Sequence, residues 1–347
     1  MRGSTDRAEG CLAAPLQGAD PALVRGYPHD VGWCGLAGLL STGLVIAISA
    51  GRTSWLLPTS ARPVPGSLAG VFGHSGIDLE LGGLIAVLVL MFVSYVAAIQ
   101  GVEQLSPRAV LIAVAGLNAV VLLAPPLLST DVFSYVAYGR IGALYGANPY
   151  LHGPNAIALD PAYAFIAARW VATPTVYGPL FTAMSYVLAP LNVGLNVLAY
   201  KAIAAASSLA MVVMIWKASR VRGVNPVRAA VLVGLNPVIV VYGVGGGHND
   251  LLMLALLLTG VYVLLRNNGQ ASGALIVAAT AVKLTAGILL PFVFAHNARG
   301  RGSRGLRAVL VGVGAAAALG APSASCSSAA ARFTSRARLS RFSTGAA

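Results

Sequence analysis

The sequence predicts an all-α polytopic membrane protein, a bundle of about 8 to 10 transmembrane helices with one long loop outside the bilayer. Of its 347 residues, 57% are hydrophobic and only 10% are charged, against roughly a quarter charged in soluble domains. Several apolar runs approach or exceed the roughly 20 residues a helix needs to cross the hydrocarbon core. These runs are continuous between short polar breaks, whereas the strands of a membrane barrel would alternate.

Residues 1–30 are polar and mixed in charge, too long and too acidic for the basic start of a signal peptide, and read as a cytoplasmic tail. Apolar segments follow at about 32–50, 80–99, 108–128, 177–190, 195–216, 229–246, 251–265, 271–295 and 308–321. The net charge of +13 and pI near 10.2 could point to nucleic acid, but the basic residues gather in short loops between spans. That pattern fits positive-inside topology, with the lipid bilayer and not nucleic acid as partner. Cys11, Cys34 and Cys326 have neither disulfide nor zinc spacing.

If every segment crosses once, the basic loops Lys217–Arg228 and His296–Arg307 fall on opposite sides, against the charge rule. Two adjustments restore it. The short segment 177–190, bracketed by Pro179 and Pro190, enters the membrane and returns. Segment 271–295 folds as a hairpin with Lys283 at its outer tip, which avoids the roughly 2.5–3.5 kcal/mol of a lysine at mid-membrane. With the amino terminus inside, residues 129 to about 197, the turn at 245–250 and Lys283 then share the outer surface.

Of the 10 acidic residues, only Asp78, Glu80, Asp131, Asp160 and Asp250 can reach that surface. Asp131 opens a stretch in which Asp131, Tyr135, Tyr138 and Tyr145 fall near one helical face, as in a helix lying in the headgroup layer with tyrosines at its polar edge. Such tyrosines also suit sugar rings. The plainer reading is that Ser129, Thr130 or Asp131 caps the helix. The glycine run before His248, Asn249 and Asp250 lets backbone approach a ligand at a helix start, or is an ordinary turn with an ordinary cap. Lys283 either snorkels to water or meets a lipid phosphate, and Lys201 poses the same choice more weakly. The histidines, among them His152 and His248, lack ligand spacing, so no protein-built metal cage is expected; a loosely held divalent ion stays compatible with the sequence.

The stretches STDVFSYVAYGR (129–140), NPYLHGP (148–154), TPTVYGPLF (173–181), GLNPVIVVYGVGGGHNDLLMLALLL (234–258) and AVKLTAGILLPFV (281–293) occur in an order and spacing that resemble a known family. They are similar to the actinobacterial polyprenol-phosphomannose-dependent α-1,6-mannopyranosyltransferases of lipoglycan synthesis, integral membrane glycosyltransferases of the GT-C type. The similarity runs over about residues 110–295. It implies a GT-C-like bundle, a polyprenyl-phosphate-mannose donor, a membrane-anchored glycan acceptor and an active site on the outer face of the cell membrane; no cofactor is expected. It also implies a catalytic carboxylate in a long outer loop, which here is Asp131.

A β-linked mannosyl phosphate giving an α-mannoside inverts, so one base suffices and the phosphate leaves already ionised. Asp131 is the expected base, Lys283 the partner of the departing phosphate, and His248, Asn249 and Tyr135 position donor or sugar. Arg140, Tyr177 and Asp250 complete the expected substrate-binding set. The domain layout expected is a tail over 1–30, a transmembrane glycosyltransferase domain over 31–321 with its catalytic loop and re-entrant segment at 129–197, and an atypical tail over 322–347. That Ala-, Ser- and Arg-rich tail replaces the further helices usual in such enzymes and reads as a truncated or frame-shifted end. A related GT-C enzyme using another lipid-phosphate sugar, and a transporter or flippase of lipid-linked intermediates, remain alternatives; a transporter would be expected to show repeated helix-break patterns, and none is found.

Overall fold

The computed structural model describes residues 30–296, together with Arg307, Leu310 and Val311. The expected tails at 1–30 and 322–347 and nearly all of the apolar stretch 308–321 lie outside the described residues.

Within them the fold is all helical, in the order expected. Helices α1 (Val31–Ser49) and α2 (Glu80–Gln100) pack side by side through small residues. A β-carbon on Gly35 would sit 2.4 Å from the Ala98 nitrogen, so the two backbones approach as closely as only glycine permits. Helix α3 (Pro107–Leu123) starts where the Ser106 hydroxyl accepts the Ala109 N–H and Pro107 occupies the first turn. It stops at Ala124-Pro125-Pro126, where two successive residues lack an N–H. Helix α4 (Asp131–Ala143) follows, then a loop of short 3-10 turns, then α5 (Pro179–Leu188). The 29-residue α6 (Val193–Val221), capped by Asn192, is about 43 Å long, enough to cross a bilayer at a tilt.

Helix α7 (Pro226–Gly234) and a π-helical stretch (Val238–Val244) form one apolar path bent by 44° at Pro237. Helices α8 (Asp250–Leu265) and α9 (Gly269–Val282) close the bundle. At Lys283 the chain becomes extended and resumes as a 3-10 turn at Leu284–Leu289. Val293 then packs back on Ile276 of α9, so the segment is a hairpin broken at Lys283, as the charge argument required. Among the described residues three helices (α1, α2, α6) are long and apolar enough to cross a membrane, or four with the bent pair; α5, with ten residues, reaches about 15 Å.

Two apolar cores result. One joins α1, α2, α3, α7 and the middle of α6. The other surrounds α4 with the 57–69 loop, α5, the start of α6, α8 and α9. The expectation that α4 presents an open tyrosine edge is corrected here. Val132 through Ile141 are all buried, including Tyr135 and Tyr138, because neighbouring segments cover every face of the helix. A tyrosine stripe does not distinguish an interfacial helix from one packed among other aromatic rings.

Candidate active site

The first half of the site is the strap from Ala124 to Thr130. The Leu127 N–H donates to the Gly245 carbonyl (3.0 Å) and the Leu128 N–H to the Leu56 carbonyl (2.7 Å). These bonds hold Leu128 at φ +62°, a left-handed conformation that costs a branched residue about 1–2 kcal/mol. Ser129 Oγ accepts the Asp131 N–H (3.2 Å), so the serine serves the helix start. The Asp131 carboxylate makes no cap and is 35% exposed.

The second half is the turn after the π-helical stretch. Gly247 has φ +66°, natural for glycine, and turns the chain so that His248 and Asn249 point inward. His248 stacks on Tyr242 at 4.2 Å, with Nδ1 3.7 Å from Asp131 Oδ2 and 4.0 Å from Asp250 Oδ2. The imidazole thus sits between two carboxylates. Burial holds its pKa below the ordinary 6.5, with the two carboxylates pulling the other way and the Lys283 amine reinforcing burial. Asn249 caps nothing; its Oδ1 accepts the Tyr135 hydroxyl (3.4 Å), and its Nδ2, like His248 Nε2 and Thr130 Oγ1, is buried without a partner. The ordinary-cap reading of Asn249 and Asp250 therefore fails.

Lys283 completes the cluster from the hairpin break. Its Nζ donates to Asp250 Oδ1 at 2.7 Å, and both side chains stay about a third exposed or more (32% and 40%). Asp131, His248, Asp250 and Lys283, spread over 153 positions of the chain, thus form one continuous polar row. Beneath it lies a floor of rings. Tyr135 meets Tyr177, Phe181 and Tyr200 edge-on at 4.9, 4.8 and 5.5 Å. Burial raises the hydroxyl pKa of Tyr135 and Tyr177 and lifts Tyr138 to about 12, so these phenols remain neutral donors.

Six of the expected substrate-binding residues (Tyr135, Tyr177, His248, Asn249, Asp250, Lys283) gather with Asp131 here. Arg140 does not. It lies nine residues along α4, about 13 Å from Asp131, and is buried in a pair with Asp160 at 3.0 Å. Asp160, one of the acids the topology allowed on the outer surface, is 5% exposed and committed to Arg140, Tyr145 and the Ala162 N–H. Tyr242, which stacks on His248, escaped the sequence reading, although it lies in the same motif; a π-helical turn, the kind of irregularity that often marks functional sites, carries no reliable sequence signal.

A model of the family described as "Alpha-(1->6)-mannopyranosyltransferase, N-terminal domain" matches residues 33–299. The chain belongs to this family. Every residue of the polar row and its aromatic floor falls inside the matched α-(1→6)-mannopyranosyltransferase N-terminal domain. Similar proteins include alpha-(1->6)-mannopyranosyltransferase A of Corynebacterium glutamicum, 34% identical over 178 residues, which are 50% of this chain and 35% of that protein. The protein of the same name from Mycobacterium tuberculosis is 33% identical over 204 residues, 55% of this chain and 38% of that protein. Alpha-(1->6)-mannopyranosyltransferase B of Corynebacterium glutamicum is 31% identical over 219 residues, 55% and 35% of the two chains. The chain thus spans little more than a third of the curated relatives it matches. No solved structure matches.

Proposed function

We propose that this site transfers mannose from a polyprenyl-phosphate-mannose donor to an α-1,6-mannan acceptor at the outer face of the membrane, with inversion. The observation that carries the reading is the polar row itself: a half-open carboxylate, Asp131, and a half-open amine, Lys283, joined through the buried His248 and the half-open Asp250. Asp131 takes the proton of the acceptor hydroxyl as its oxygen attacks the anomeric carbon. The bond from that carbon to the phosphate oxygen breaks, and the phosphate leaves carrying the electron pair. Lys283, held by one bond to Asp250, retains donors for the departing phosphate. His248 and Asn249 do not open to solvent; His248 lies against the Asp131 and Asp250 carboxylates, and Asn249 accepts the Tyr135 hydroxyl. Tyr177 and the rings around it offer apolar faces on which a sugar can stack. The row takes the phosphate charge on Lys283 and asks for no protein-built metal site.

The test uses membranes carrying this chain, and a fusion of it to the remainder of the Corynebacterium glutamicum relative, with labelled polyprenyl-phosphate mannose and a short α-1,6-mannoside. Asp131→Asn is expected to lower transfer by about 10²- to 10⁴-fold at unchanged protein level. Transfer within a few-fold of the unaltered protein would refute the assignment.

A further inference from the structure

Lys201 is a buried charged side chain that the chemistry above leaves unused. It does not snorkel to water: it is 1% exposed inside α6, and among the described residues no carboxylate pairs with it. Its Nζ donates instead to the carbonyls of Ala124 and Pro125 (the latter at 2.9 Å), the groups left free where α3 stops. Its stem lies beside the other half of the site. A β-carbon on Gly247 would meet Lys201 Cγ and Val132 Cγ2, each at 3.4 Å. One lysine therefore holds the strap that leads to Asp131 and abuts the turn that presents His248. Ala124 and Pro126 border an open, largely apolar pocket of about 390 Å³ that Lys201 also lines, so the strap has little protein packed against it on that side.

We infer that Lys201 is a positioning residue that keeps the Asp131 strap in register with the His248 turn; its effect on rate rests on the mannosyl-transfer reading, its effect on geometry does not. Lys201→Met keeps length and volume but removes the donors, and Lys201→Gln restores a shorter donor. A displacement of the base by about 1 Å is expected to lower kcat by about 10²-fold. KM for donor and acceptor should stay within about threefold, because the binding groups remain. Lys201→Gln should fall between Met and the native residue.

A second readout is independent of catalysis. In protein whose three cysteines are replaced by serine, Asp131→Cys is labelled with a membrane-impermeant maleimide, with and without Lys201→Met. A loosened strap should change the labelling rate by about tenfold. Changed labelling with no mannosyl transfer by the unaltered protein would sink the functional reading and leave the clamp standing. Unchanged labelling, or a kcat per folded molecule that does not move while only yield or melting temperature falls, would overturn the clamp and mark Lys201 as a helix-end cap.

Discussion

Replacing Asp160 with Asn tests whether Arg140 serves the fold or the substrate. In the structure Arg140 Nη1 donates to both carboxylate oxygens (3.1 and 3.0 Å), Nη2 donates to the Leu191 carbonyl at 2.6 Å, and the two side chains are 10% and 3% exposed. The Asn side chain keeps the shape but removes the charge, leaving a guanidinium buried beside a neutral amide. Breaking such a pair costs about 3–5 kcal/mol, which for a chain of this size lowers the melting temperature by about 4–7 °C. Removing both charges with Arg140→Met and Asp160→Leu should recover much of that loss, because no uncompensated ion remains. Thermal unfolding in detergent measures the first quantity, and transfer kinetics of the folded fraction measure the second, where kcat and KM should hold. A melting temperature that does not move, together with a KM raised about tenfold or more, would refute the structural role and return Arg140 to the substrate.

Lys283→Met removes a pair a third or more exposed, so it should cost stability no more than about 1 kcal/mol, yet lower kcat/KM for transfer by about 10²- to 10³-fold; equal losses in both measurements would contradict its role at the phosphate. Gly139→Ala places a β-carbon 2.3 Å from the Ser185 carbonyl oxygen, forcing α4 and α5 apart, and should destabilise by about 1–3 kcal/mol in a melting experiment, whereas Gly66→Ala, with open space around it, should not. Because burial holds the His248 pKa below 6.5, the unfolded chain binds the proton more readily than the folded one. Its contribution to stability is complete above 6.5 and is lost as pH falls below that value, so melting temperature should decline in that range and His248→Asn should flatten the decline. Dialysis against a chelator should leave transfer intact; loss restored by a divalent ion would assign the phosphate charge to metal.

Much of the architecture is legible in the order of residues because a span needs only length and apolarity, and Ser106, Asn192, Asn225 and the prolines mark helix starts and stops locally. The break at Lys283 is legible for the same reason, since a lysine at mid-span carries its own cost. Charge bias in the loops predicts Asp131, the His248 turn and Lys283 on one surface, and in the structure the three meet in one cluster. Tertiary structure alone decided which polar groups meet. Arg140 and Asp131 share one helix, yet one faces Asp160 and the other His248, and no local signal separates them. The burial of α4, the stacking of Tyr242 on His248 and the grip of Lys201 on the end of α3 all depend on what distant segments bring alongside. Periodicity along a chain reports which side of an element is apolar; which partner a buried polar atom finds is a matter of hydrogen-bond distances between segments far apart in sequence, and those exist only once the helices have packed.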